Sequence, residues 1–425
     1  MDRRIYEIWL SLACTPDSPT FAKLLESYNS AEEIYFADEK AIRRIVGSRV
    51  SDCTSLINKD LEKAENIFRF CNEKGVGIIS YFDDCFPKLL KDIPTPPVLL
   101  YYRGILPDLN KSFRCAVVGT RSLSDYGRNN AFKFGYDIAC AGGIIVSGMA
   151  IGIDGVAMAG ALAAGGKTIA FLGSGIDVCY PEQHLTLAKS IVKTGCIFTE
   201  YAPGTRPQRF NFPRRNRLIS GICSASVVVE GREGSGSLIT ARHAKAQNRA
   251  VYAFPGNVCN DGSQVTNLLI KNGAKLCTSA DDVVRDFEKE FSGIINPFKL
   301  KNKIDVNMMS VLSDYKVSAT TPSDNIFEAP RAYKERIVPK PKKLETSEPV
   351  MQVANKVESS CFENAGIQPE AIKLYKRIPP EREIGIEELV DSENNLRKVM
   401  KHLLMLEINR FVVILPGEKV KRNIK

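Results

Sequence analysis

Between Cys115 and Ala280 short apolar runs alternate with helix-like stretches, and this alternation constrains the fold more than any other feature of the chain. The runs are Cys115–Val118, Ile144–Ser147, Thr168–Leu172, Cys196–Thr199, Ser226–Val229 and Val251–Phe254. Short, apolar and rich in Val and Ile, they read as strands buried on both faces. Helical stretches separate them, for example Arg128–Cys140, Asp154–Ala164 and Leu238–Gln247. Strands alternating with helices predict an α/β domain with a doubly wound, mostly parallel sheet. Such a sheet holds its ligand outside the carboxyl ends of the strands, near the topological switch point. The residues just after each run are therefore the first candidates for a site.

Those segments are rich in glycine. Gly119-Thr-Arg121 follows the first run, Ser147-Gly-Met-Ala-Ile-Gly-Ile-Asp154 the second, Gly173-Ser-Gly175 the third and Gly231-Arg-Glu-Gly-Ser-Gly-Ser237 the fifth. Glycines allow close backbone approach, and the helix N-termini that follow present free N–H groups to an anion. Gly234-Ser-Gly-Ser-Leu-Ile-Thr240 is the best phosphate nest, with Ser237 and Thr240 as hydroxyl donors. Any one such loop can be a tight turn; several converging on one sheet edge point to a ligand.

After the fourth run comes the loop Thr205–Arg217, with five arginines and two phenylalanines in thirteen residues. No Asp or Glu stands between Tyr201 and Glu230. A solvated charged face mixes signs, so a carboxylate-free one suits an anion. Arginines that follow a phosphate backbone beside rings on which bases stack are the ingredients of single-stranded nucleic-acid binding. The bland alternative is that both phenylalanines are core residues beside a surface loop, with Phe212 the more ambiguous of the two.

Other chemistries find little support. Gly160-Ala-Leu-Ala-Ala-Gly-Gly-Lys-Thr168 approaches a Walker A loop, but Ala161 stands where glycine is needed and Lys-Thr enters a strand rather than a helix. The dinucleotide fingerprint fails because Arg121 occupies its second glycine position. Twelve cysteines occur without a C-x-x-C pair, and with only three histidines a metal site is not expected. No cofactor is expected. His184 and His243 have no evident nucleophile to serve, and Asp154 reads as a helix N-cap, so no catalytic residue is assigned.

The formal charge of +9 on 425 residues permits a nucleic-acid partner without demanding one. Two or three domains are expected at this length. Residues 1–75 read as short helices, with helical spacing in Phe21–Tyr28 and Leu56–Cys71. Extended segments at Ile78–Phe82 and Val98–Tyr102 lead into the central domain, which ends near 295. Residues 296–368, with Val338-Pro-Lys-Pro-Lys-Lys343, read as a flexible basic linker. Order returns at 369–425: helical segments at Ala371–Tyr375, Ile386–Val390 and Leu396–Leu406, then a hairpin from Phe411 to Gly417 with Lys419 and Lys421 after it. That pattern resembles a winged helix, whose recognition helix would carry Arg397, Lys398 and Lys401. Glu7 interrupts the apolar N-terminus, no signal peptide or membrane span is read, and scattered thiols suit a cytosol. A soluble, cytoplasmic protein is expected.

Taken together, Val118-Gly-Thr-Arg121, Ser124-Asp-Tyr-Gly127, Val146-Ser-Gly148, Gly152-Ile-Asp154, Tyr180-Pro181, Glu200-Tyr201, Phe212-Pro-Arg-Arg-Asn-Arg217, Glu230, Ser235-Gly-Ser-Leu-Ile-Thr-Ala241 and Pro255-Gly256 resemble the DNA-processing protein A (DprA/Smf) family in order and spacing. The resemblance implies an extended Rossmann-like domain between a SAM-like helical N-terminus and a winged-helix tail. It implies a homodimer formed through the Rossmann-like domain, which binds single-stranded DNA without hydrolysing nucleotides and loads the RecA recombinase during natural transformation. Carried onto this chain, the DNA site comprises Gly119, Arg121, Gly148, Arg209, Phe212, Arg214, Arg215, Asn216, Arg217, Ser235, Gly236, Ser237, Thr240 and Lys245. Thr120 replaces the family's usual serine and Met158 its usual histidine. The rival reading is a Rossmann-like nucleoside-monophosphate phosphoribohydrolase with Glu230 or Glu233 as its acid, although the Pro-Gly-Gly-x-Gly-Thr loop of such enzymes is missing. A scaffold without a nucleic-acid role leaves the arginine loop unexplained.

Overall fold

The computed structural model describes residues 1–301 except 48 and 233, then 307–314, and in the carboxyl-terminal region 369–379, 384–389, 399, 402, 403, 406, 411–415 and 419–422. The chain divides into two units, 1–336 and 337–425.

In the first unit the short apolar runs form strands within a residue of their predicted ends. They are β3 (Arg114–Val118), β4 (Ile144–Ser147), β5 (Thr168–Phe171), β6 (Cys196–Thr199), β7 (Ala225–Val228) and β8 (Ala250–Ala253). β1 (Gly77–Ser80) and β2 (Leu99–Gly104) precede them, and the two-residue β9 (Lys275–Leu276) follows. The sheet order is β1-β2-β6-β5-β4-β3-β7-β8-β9. Strands β3 to β9 pair in parallel, while β2 is antiparallel to both β1 and β6. The two extended segments expected before the central domain are thus its antiparallel edge, completing a mixed, Rossmann-like α/β sheet.

Six helices precede the sheet: α1 (Arg3–Ala13), α2 (Thr20–Leu25), α3 (Ala31–Phe36), α4 (Glu39–Val46), α5 (Val50–Ile57) and α6 (Glu62–Lys74). Within it come α7 (Lys88–Lys91), α8 (Asp125–Cys140), α9 (Ile153–Ala163), α10 (Leu185–Thr194), α11 (Asn211–Gly221), α12 (Gly236–Ala246), α13 (Gln264–Lys271) and α14 (Ala280–Phe287). Alternate residues of each central strand serve opposite cores. Cys115 and Val117 join Ala131, Phe134, Ala157 and Val283 from α8, α9 and α14, in a cluster continuous with Ile8 and Leu10 of α1. Ala116 and Val118 join Leu90, Leu218, Ile219, Ala241 and Val265 from α7, α11, α12 and α13. Helices on both faces explain why the runs show no polar side. β3 lies between β4 and β7, so the connections leaving β3 and β7 diverge to opposite sides. That divergence is the switch point.

Of the segment read as a linker, Pro297–Lys301 is a 3-10 turn and Met308–Asp314 an α-helix; most of the rest lies outside the described residues. In the second unit, Pro369–Arg377 is helical and a three-stranded sheet has the order β10 (Ile384–Gly385), β12 (Lys419–Arg422), β11 (Val412–Leu415). Residues Ile386–Leu389, expected within an α-helix, form a 3-10 turn. Arg397, Lys398 and Lys401 lie outside the described residues. Among the described residues no helix is long and apolar enough to cross a membrane.

Candidate nucleic-acid interface

The loops after β3 and β7 remain tied beyond the last register pair, since the Thr120 N–H donates to the Glu230 carbonyl at 2.8 Å. Over them opens a cleft of about 690 Å³. Gly119, Arg121, Arg209, Phe212, Arg215, Asn216, Ser235, Gly236, Ser237 and Thr240 all line it. Gly148 lines a smaller hollow that shares Arg121, Tyr180, Phe212 and Arg215 with the cleft. Eleven of the fourteen expected site residues (ten in the cleft plus Gly148) therefore meet at the switch point. Gly119 must lack a side chain there: a Cβ would lie 2.5 Å from Ile153 and 2.8 Å from the Glu230 carbonyl.

The basic stretch is not a loop throughout, because α11 begins at Asn211. Helical geometry then sorts its side chains by direction, at about 100° per residue. The Asn211 side-chain amide donates to the Gly173 carbonyl at 2.9 Å and anchors the first turn over the β5 loop. Phe212 follows, half-buried, its ring lying where a Cβ on Gly173 would approach to 2.8 Å. The ring centroid stands 5.3 Å from that of exposed Tyr180, with the Arg121 and Arg215 guanidinium carbons at 5.9 and 6.0 Å. Phe212 is neither core nor free; one face packs and the ring borders the cleft.

Arg215 lines the cleft, but its guanidinium is turned to backbone carbonyls. It is 4% exposed and donates from Nη1 to the carbonyls of Gly148, at 3.0 Å, and Phe171. Its guanidinium clamps the ends of β4 and β5 and adds positive charge beneath the cleft. Burial lowers its pKa to about 10, against the opposing pull of Asp154.

Arg217 does not line the cleft. About 200° around the helix from Arg215, it points away from the cleft. It is 2% exposed and bidentate on Glu200 at 2.8 and 2.7 Å, and it donates to the Thr95 carbonyl at 3.0 Å. Arg214 stands over the ring of Phe210 at 5.1 Å, and Lys245 is exposed on α12; neither lines the cleft.

Opposite the rings, α12 points its N-terminus into the cleft. Ser235 occupies the N-cap with no side-chain cap bond, and its hydroxyl is hydrogen-bonded to that of Ser237. The backbone N–H groups of the first turn, with their partial positive charge, are a ready anion seat. Asn216 joins this end to α11 through a 3.4 Å bond to the Gly236 carbonyl.

The acids are turned to other duties. Asp154 is not an N-cap, since Gly152 takes that position of α9; its Oδ2 accepts from the Gly148 N–H at 3.0 Å and closes the β4 loop. Burial raises the Asp154 pKa, and Arg215 opposes the rise. Glu230 is buried, accepts from the Ser124 N–H at 3.0 Å and fills the space left by Gly127 and Gly262. It does not line the cleft. Glu233 lies outside the described residues. Among the described residues no cluster of three or more His, Cys, Asp or Glu could hold a metal.

Seven further residues line the cleft without having been assigned to it from the sequence, Tyr180 and Ile239 among them. Tyr180 had a legible signal, a tyrosine in the loop after a central strand. Ile239 stands inside the quoted run Ser235–Ala241 but, as one apolar residue in a helix, had no signal of its own.

A family model described as DNA recombination-mediator protein A matches residues 77–288. DNA processing protein DprA of Streptococcus pneumoniae is 44% identical over 211 residues, covering 49% of this chain and 73% of that protein. DNA processing protein DprA of Bacillus subtilis is 36% identical over 236 residues, 56% of this chain and 80% of that one. The crystal structure of DNA processing protein A from Streptococcus pneumoniae superposes with a TM-score of 0.59 at 36% identity, covering 67% of this chain and 98% of the other.

Proposed function

The chain belongs to the DNA recombination-mediator protein A (DprA/Smf) family, and from that premise we propose that it binds single-stranded DNA in the cleft above β3 and β7. One observation carries the reading. A half-buried ring, two exposed arginines and a helix N-terminus line a single cleft, and among the described residues its one carboxylate is Asp154, which accepts from the Gly148 N–H. Arg121 and Arg209 pair with phosphates, the α12 N-terminus takes a further phosphate, and Phe212 offers its open face to a base. Arg215 shapes the cleft from below.

In this role the protein mediates recombination: it shields incoming single strands and loads the RecA recombinase onto them during natural transformation. It acts in the cytoplasm as a homodimer formed through the Rossmann-like domain, between a helical N-terminal domain (1–75) and a winged-helix tail (369–425). It is a binder, not a hydrolase. Support for that comes from Glu230, one of the two acids of the rival phosphoribohydrolase reading, which accepts from the Ser124 N–H and does not line the cleft; the other, Glu233, lies outside the described residues.

The test is binding of a fluorescent single-stranded oligonucleotide by wild type and the Arg121→Ala/Arg209→Ala double variant, across a salt series with duplex competitor. Salt-sensitive single-strand preference that collapses in the variant supports the reading. Weak binding indifferent to the substitutions, or release of free base from AMP, overturns it.

A further inference from the structure

Outside the cleft, on the other side of the first turn of α11, stands a second ring. Phe210 occupies the N-cap position and is 54% exposed, a large apolar side chain left in water. Arg214, four residues on and so on the same helix face, holds its guanidinium carbon 5.1 Å from the ring centroid. Among the described residues no carboxylate forms an ion pair with Arg214, Arg209 or Arg206, and Glu200 is held by Arg217. The pair therefore presents a flat, positively charged platform to solvent.

The platform is continuous with the cleft. Arg209, beside Phe210, lines the cleft wall, and Phe212 lies two residues further along. Phe210 and Phe212 lie within about 7 Å of each other along the backbone, with their rings on different sides of the turn. A strand leaving the Phe212 site past Arg209 meets Phe210 next, the neighbour of Arg209 in the chain.

We propose that Phe210 and Arg214 form an outer stacking step that takes the next one or two bases of a single strand as it leaves the cleft. The step rests on the single-strand reading of the cleft and extends it: the ring stacks a base of any sequence, and the guanidinium holds the ring flat and meets the adjoining phosphate. It contributes only to strands long enough to run beyond the cleft.

Two oligothymidylates, of about 4 and about 15 nucleotides, span the usual range of such sites. Their affinities are measured by anisotropy for wild type, Phe210→Ala, Phe210→Tyr, Arg214→Gln and Phe212→Ala, with melting temperatures alongside. The step predicts that Phe210→Ala weakens the long oligomer about tenfold, leaves the short one and the melting temperature unchanged, and is rescued by tyrosine. Arg214→Gln lowers the salt dependence of the long oligomer alone. Unchanged binding of both lengths by Phe210→Ala, with Phe212→Ala still impaired, removes the outer step and leaves the cleft reading standing. Equal loss on both lengths places the ring in the cleft's own site and also overturns the step. Wild type that binds neither oligomer, or Phe212→Ala that binds both normally, overturns the cleft reading and the step with it.

Discussion

Arg217 and Glu200 form a buried bidentate ion pair, Nη1 to Oε1 at 2.8 Å and Nη2 to Oε2 at 2.7 Å, in the middle of a sequence that reads as a nucleic-acid loop. The same guanidinium reaches Thr95 and, at 3.5 Å, Asp17 in the N-terminal region, so it bolts α11 to both. Removing one partner of a buried pair strands the other charge, at a cost of about 3–5 kcal/mol. Arg217→Ala should therefore lower the denaturant midpoint strongly, while the folded fraction keeps its affinity for single-stranded DNA. A variant of wild-type stability and poor binding would return Arg217 to the site.

Arg121 and Phe212 should separate in their salt dependence. Arg121→Ala removes one phosphate contact and should reduce the slope of log affinity against log salt by about one. Phe212→Ala should cost about 1–3 kcal/mol with the slope unchanged, because stacking releases no counterion. Titrations at several salt concentrations distinguish the two.

Gly173 tests the ring without touching it. A Cβ there would lie 2.8 Å from Cδ1 of Phe212, tighter than packed atoms tolerate. Gly173→Ala should tilt the ring into the cleft and weaken oligonucleotide binding several-fold. Phe212→Ala in the same background should relieve the clash, so a melting temperature lost in the single variant and regained in the double would locate the strain at this contact.

Burial lowers the pKa of His184, whose Nδ1 lies 3.0 Å from the Met149 carbonyl under the β4 loop. The unfolded chain therefore takes up a proton near the ordinary histidine value before the folded one does. Stability from this group is complete above that value and is lost as pH falls through it towards the lower folded pKa, by at most about 1.4 kcal/mol per pH unit. His184→Gln should flatten the stability profile between pH 7 and 5.5. An unchanged slope would assign the dependence to His243, which burial shifts in the same direction.

The sequence by itself determined the parallel core, because strands buried on both faces must be apolar on every residue, as Cys115–Val118 is. It also singled out the candidate cleft, because the glycines after β3, β4, β5 and β7 all fall at one end of one sheet. What only the tertiary structure decided was the direction of each arginine. Arg209, Arg214, Arg215 and Arg217 are alike in a sequence, but the start of α11 at Asn211 turns successive side chains by about 100°. That rotation sends Arg215 under the cleft to carbonyls on β5 and the β4 loop, Arg217 to Glu200 and Arg214 onto Phe210. Buried partners, distant along the chain, decide which positive charges remain for a ligand.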